Sequence, residues 1–132
     1  MVKVILDTNF LFVPFQLKID IFKELDKLFG KAELIILSST FFELETLTKR
    51  RSTKMTKQAL AALEIAGKCV VMDIEMLPDE SFDDALLRVA EYENCAVATN
   101  DANLRKRLRE NGVTVVYVRK RSHLVVEGQT AP

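Results

Sequence analysis

The sequence predicts an α/β protein, a three-layer α/β/α sandwich with helices on both faces of a central parallel sheet of about five strands. Short β-branched runs alternate with helix-period segments from one end of the 132 residues to the other. Those runs are continuously apolar, as strands are when helices cover both of their faces. Hydrophobic residues make up 48% of the chain, with only four Gly and three Pro. A chain of this length buries about two-thirds of its unfolded surface in one core, so one domain is expected.

Val2–Leu6 is the first strand. Asp20 is a good N-cap for a helix over Ile21–Phe29, which stops at Gly30. Leu34–Leu37 is the second strand, and Ser38 then leads a helix over Ser39–Thr48. A further helix, Thr56–Ala66, ends at Gly67, and Val70–Met72 is the third strand. Ser81 begins a helix over Phe82–Tyr92, with Asp84 three residues on as its capping-box partner. Cys95–Ala98 is the fourth strand. Asp101–Glu110 is helical up to Asn111-Gly112, and Val113–Val118 is the last strand. Periodicity fades after Arg119, so the domain is expected to span residues 1–122, with 123–132 an irregular tail.

The 19 Lys and Arg balance 19 Asp and Glu, which excludes a uniformly basic nucleic-acid coat and an acidic solvating tail. The charge is nevertheless segregated. Lys49, Arg50, Arg51, Lys54 and Lys57 fall together without an acid, and residues 105–121 hold seven basic residues against Glu110. Residues 73–93 hold eight acids against Arg88. No apolar run has the length of a membrane span. Asp7, Thr8 and Asn9 interrupt the apolar start, so a secretory core is not expected and a cytoplasmic location is. Cys69 and Cys95 lack partners at zinc-ligand spacing; they read as buried thiols, with a disulfide between neighbouring strands as the alternative.

Ligands of open parallel sheets bind beyond the carboxyl ends of the strands. Past the first strand stands Asp7-Thr8-Asn9, and past the second Ser38-Ser39-Thr40 leads to Glu43. Past the fourth stands Thr99-Asn100-Asp101, and Asp83 lies in the first turn of the helix entering that strand. Asp7, Glu43, Asp83 and Asp101 can therefore converge. Clustered carboxylates need protons or a cation, and all-oxygen donors suit Mg²⁺ or Mn²⁺. Taken singly, Asp7 and Asp101 read equally well as caps or turn formers. Glu45 has Lys49 at i+4 and reads as a solvent-face ion pair, whereas Glu43 has Leu47 there and tilts toward protein.

The run Val4-Ile5-Leu6-Asp7-Thr8-Asn9 resembles the opening of the PIN-domain ribonucleases. Phe42-Glu43-Leu44 is similar to the family's mid-chain acid, and the stretch from Asp83-Asp84-Ala85-Leu86-Leu87 to Val97-Ala98-Thr99-Asn100-Asp101 completes the likeness over nearly the whole chain. The resemblance implies a PIN-like sandwich and Mg²⁺- or Mn²⁺-dependent cleavage of RNA phosphodiester bonds. It assigns Asp7, Glu43, Asp83 and Asp101 as catalytic and metal-binding, and Thr8, Asn9 and Asn100 as their supports or phosphate contacts. Either member of the Asp83-Asp84 doublet fits the third acid, with the spacing to Asp101 favouring Asp83. Products with 5′-phosphate and 3′-hydroxyl ends are implied. A single histidine, His123, leaves no His pair for acid–base hydrolysis within one chain.

Both basic segments flank elements that start at the site, so Lys49, Arg50, Arg51, Arg105 and Arg107 are expected to track an RNA backbone. Phe10, Phe12 and Phe15 read as core or dimer contacts, or as a ring for a base, and a homodimer is expected. The final strand and its flanks look closer to small archaeal and ribosomal-RNA-processing PIN domains, with a ribosome-assembly partner. A VapC-type toxin with an antitoxin partner is the alternative role, and a catalytically inactive RNA- or protein-binding domain is the other. A haloacid-dehalogenase-type phosphatase would need Asp where Asn9 stands. A receiver domain would need an acidic pair after the first strand and a Lys after the last.

Overall fold

A computed structural model describes residues 1–49 and 53–128. One sheet carries six strands: β1 (Val2–Leu6), β2 (Ala32–Leu37), β3 (Val70–Met72), β4 (Ala96–Ala98), β5 (Val115–Arg119) and β6 (His123–Glu127). Their spatial order is β3-β2-β1-β4-β5-β6. The first five are parallel, and β6 returns antiparallel on β5 with Arg119 opposite His123. The sheet is thus one strand wider than the five expected, and β6 occupies part of the segment read as an irregular tail.

That hairpin lacks the usual sequence signal. Lys120 and Arg121 take φ of 54° and 58° at the turn, where Ser122 N–H returns to the Arg119 carbonyl at 3.2 Å. Positive φ at both central positions is the primed-turn geometry that normally selects Asn or Gly. The edge strand itself buries only Leu124 fully, so no continuous apolar run announces it.

The helices are α1 (Val13–Leu17), α2 (Ile21–Phe29), α3 (Ser38–Thr48), α4 (Thr53–Ala66), α5 (Phe82–Glu93) and α6 (Ala102–Glu110), preceded by a 3-10 turn over Thr8–Phe12. The 3-10 turn and α1 fill a stretch for which the sequence offered no element; Pro14 in the first turn of α1 suits a helix start. Side chains alternate across the sheet with period two. Val4, Leu6, Ile36, Ala96, Ala98 and Val116 pack with Leu25 of α2, Leu44 of α3 and Ala59, Ala62 and Ala66 of α4. Ile5, Ile35, Leu37, Val97, Val115 and Tyr117 pack on the other face with Leu86 and Val89 of α5 and Leu104 and Leu108 of α6. Phe10 and Phe12 are buried in the first of these cores, leaving Phe15 the exposed member of the trio.

Both cysteines are free. Cys95 is buried as expected, and burial pushes the half-buried Cys69 thiol up to about 11. Among the described residues no helix is long and apolar enough to cross a membrane. From β1 the chain moves outward to β2 and β3, then returns to lay β4 on the other side of β1 and continues to β5. Connections leaving β1 and β4 therefore run to opposite faces, which opens a crevice at their carboxyl ends.

Candidate active site

Asp7, the first residue past β1, is only 9% exposed. Its Oδ1 accepts the Thr8 N–H at 2.8 Å, and its Oδ2 accepts the Thr99 hydroxyl at 2.7 Å and the Asn9 amide at 3.1 Å. The Asp7 N–H donates to the Ala98 carbonyl at 2.9 Å. The carboxylate is thus pinned where β1 and β4 separate. Thr99, fully buried at the end of β4, also accepts the Asp101 N–H at 3.2 Å. The sequence reading named Thr99 past the fourth strand but gave it no role, because a Thr following Ala98 acquires its meaning only from a partner 92 positions earlier.

Asp101 is the N-cap of α6, with Oδ1 accepting the N–H groups of Asn103 and Leu104 at 2.9 and 3.2 Å. Asp7 caps the 3-10 turn in the same way. The capping role and a place in the cleft therefore coexist in both residues. Glu43 stands in the second turn of α3, where the Thr8 hydroxyl donates to its Oε1 at 2.9 Å. It is half-buried while Glu45 on the same helix is exposed. Ser38, the first residue of this helix, accepts the Ile74 N–H at 2.9 Å, tying the segment after β3 to the end of β2.

The Asp83-Asp84 doublet divides. Asp84 closes the capping box with Ser81 and receives Arg107 Nη2 at 2.8 Å. Asp83 lines the cleft. Asp7, Glu43, Asp83 and Asp101 thus share one open cleft of about 510 Å³, with Thr8, Asn9, Phe12, Ser81 and Phe82 forming the rest of its wall. A second cleft of about 380 Å³ lies at the opposite, amino-terminal ends of the strands around Lys3, Glu93 and Cys95, away from this cluster.

Burial pushes the Asp7 carboxyl above its usual range; Asp83 and Asp101 add to this, and the Thr99 and Thr8 hydrogen bonds oppose it. Burial also raises Glu43, helped by Asp7 and Asp83 and opposed by the Thr8 hydroxyl. Asp83 is raised by burial and then by Asp101, with Arg107 pulling the other way. Asp84 is held below the usual range by Arg107 and by its cap. Like charges crowd on the cleft side of α5, and an ion pair on its other side relieves them.

The supporting polar residues are only partly as expected. Thr8 and Asn9 hold the acids, and Asn9 Oδ1 accepts the Asn100 N–H at 3.1 Å. The Asn100 side chain does not line the cleft. Its Oδ1 accepts the Val118 N–H at 2.9 Å and so joins β4 to β5. Arg107 is paired with Asp84. The Arg105 guanidinium lies 3.9 Å over the Tyr117 ring, with its Nε buried and without a hydrogen-bond partner among the described residues. Lys49 is exposed at the end of α3, and Arg50 and Arg51 lie outside the described residues.

Comparison with known proteins bears on the family and the fold. A family model described as a PIN-like domain matches residues 4–121. The chain is 36% identical over 130 residues to a protein named ribonuclease VapC4 from Methanocaldococcus jannaschii, covering 97% of this chain and 98% of that one. It is 29% identical over 123 residues to ribonuclease VapC9 from Archaeoglobus fulgidus, covering 93% and 87%. Among solved structures, the PIN domain endonuclease Utp24 superposes with a TM-score of 0.75 at 30% identity, over 97% of this chain and 92% of that one. VapBC2 from Rickettsia felis, bound to a promoter DNA fragment, shares the fold with a TM-score of 0.66 at 18% identity, over 89% and 99%. This chain belongs to the PIN-like domain family.

Proposed function

We propose that this protein is a metal-dependent endoribonuclease that cleaves RNA phosphodiester bonds in the crevice between β1 and β4. Asp7, Glu43, Asp83 and Asp101 are its catalytic and metal-holding carboxylates. The observation that carries the reading is the sharing of one cleft by four acids from four separate elements, three of them held above the usual carboxylate range. The names of the relatives, two ribonucleases and an endonuclease, support the same chemistry.

The donor set fits a hard divalent cation. Every donor is oxygen, and positive charge would relieve the mutual repulsion that accompanies burial. As placed, no three His, Cys, Asp or Glu side chains among the described residues converge on one point. That suits Mg²⁺ or Mn²⁺ held by these carboxylates partly through water, with substrate phosphate completing the shell. Such an ion, when bound, supplies an acidified water and neutralises charge developing on the phosphate.

The chain's own residues do the positioning. Asp7, fixed by three side-chain and backbone donors, would hold such an ion, together with Asp83 and Asp101. Glu43, held through Thr8, is a ligand or orients the attacking water. His123 stands on β6, bonded to Ser122, so no histidine enters the cleft. Cleavage of a structured RNA in Mn²⁺ should give 5′-phosphate and 3′-hydroxyl ends. Cyclic phosphate ends, or undiminished activity in excess EDTA, would contradict the mechanism.

Ribosomal-RNA processing is the role the sequence favours. A toxin neutralised by an antitoxin is the second reading, favoured by matches to two VapC proteins over most of their length. Growth arrest on induction, relieved by a co-expressed neighbouring gene product, would select it. A homodimer rests on a narrower basis than the sequence suggested. Phe15 alone of the N-terminal trio is exposed, and light scattering of Phe15→Ser against wild type tests it.

A further inference from the structure

Phe82 is the first residue of α5, directly before Asp83, and it lines the acidic cleft. It is 40% exposed and belongs to neither hydrophobic core. Phe12, the cleft's other aromatic, is 7% exposed and is part of the core beneath. A large apolar side chain at the first position of a helix gains little from capping or propensity, and this one leaves much of its surface in water. It stands one residue from a carboxylate placed here in the catalytic set.

Resting on the nuclease reading above, we propose that the Phe82 ring is the platform on which one unpaired base of the RNA stacks beside the scissile phosphate. Every base has an apolar face that stacks on an aromatic ring, and this needs no hydrogen-bond readout. Phe82 and Asp83 are adjacent and line the same cleft, so a backbone phosphate bound there through a cation would set its neighbouring base within reach of the ring. An apolar helix from a protein partner is the poorer occupant. Such a helix needs several anchors at helical spacing, whereas this cleft offers one exposed ring among four carboxylates. Phe82 is therefore a positioning and specificity-determining residue. It favours unpaired over duplex RNA at the cut and tolerates any base there.

The test uses the full chain with Mn²⁺ and a single-stranded RNA containing one cleavage site. Phe82→Leu should lower kcat/KM about tenfold, chiefly through KM, the loss expected for one stacked base. Phe82→Trp should restore it. A single abasic nucleotide walked through the positions flanking the cut should abolish the difference between Phe82→Leu and wild type at one position only. Equal cleavage of intact RNA by Phe82→Leu and wild type would overturn the proposal and leave the ring for a protein partner. A penalty unchanged at every abasic position, or not restored by Trp, would also overturn it and assign Phe82 a structural role. No cleavage by wild type would overturn the nuclease reading itself, an outcome separate from either of these.

Discussion

Replacing Thr99 with Val keeps the shape of a fully buried side chain and removes one hydroxyl. That hydroxyl donates to Asp7 Oδ2 at 2.7 Å and accepts the Asp101 N–H at 3.2 Å. A hydrogen bond to a charged group contributes roughly 1.5–3 kcal/mol, and losing it without opening a cavity should cost about 2.5 kcal/mol at neutral pH. In a chain of this size that lowers Tm by about 8 °C. The cost should depend on pH. The folded-state pKa of Asp7 already lies above its unfolded value, and the Thr99 bond is the largest influence pulling it down. The stability conferred by protonating Asp7 is thus fully present below the ordinary carboxylate range and lost as pH rises through the raised value. Thr99→Val raises that pKa further. Its penalty should therefore be smaller in acid than at neutral pH, because Asp7 becomes neutral as pH falls through the raised value and the lost bond is then an ordinary one. Thermal unfolding in EDTA at both pH values measures this. A variant as stable as wild type at neutral pH, or a penalty identical at both, would refute the view that Thr99 holds the Asp7 carboxylate.

Further outcomes follow from the same packing and charges. Asp83→Asn removes a charge that raises Asp7 and Glu43. Its Tm in EDTA should exceed that of wild type, and its stabilisation by Mn²⁺ should fall; a lower Tm would contradict the repulsion. Leu124→Ala truncates the buried residue of β6 and should cost about 2–4 kcal/mol in urea unfolding. A cost well under 1 kcal/mol would show that β6 is not integral to the sheet. Ser81→Ala opens the capping box of α5 and should cost about 1 kcal/mol. An unchanged midpoint would count against that cap.

The parallel part of the fold was legible because helices on both faces demand continuous apolar strands, and Val4-Ile5-Leu6 and Ile35-Ile36-Leu37 are such runs, fully buried. β6 was not legible, because an edge strand alternates and its turn carries Lys120 and Arg121 where Gly or Asn would have marked it. The four acids could be found because strand ends and helix starts are local features. What their neighbours do was hidden, since it depends on strand order. Asn100 faces the Val118 backbone rather than a phosphate only because β5 lies beside β4. Arg105 and Arg107 read as free cations until the fold set one against Tyr117 and the other against Asp84. The helix period separated Asp83 from Asp84, and the Arg107 pair fixed which of them turns away.

The central claim is that carboxylates gathered at the β1/β4 crevice cleave RNA with a bound cation. Its most direct test is cleavage of one structured RNA at saturating Mn²⁺ by wild type and by Asp101→Asn, whose amide oxygen preserves the cap at Asn103 and Leu104. Wild type should cleave only with Mn²⁺ present, and the variant should lose about a hundredfold or more of that activity with its fold intact. Equal cleavage by the two proteins would contradict the claim.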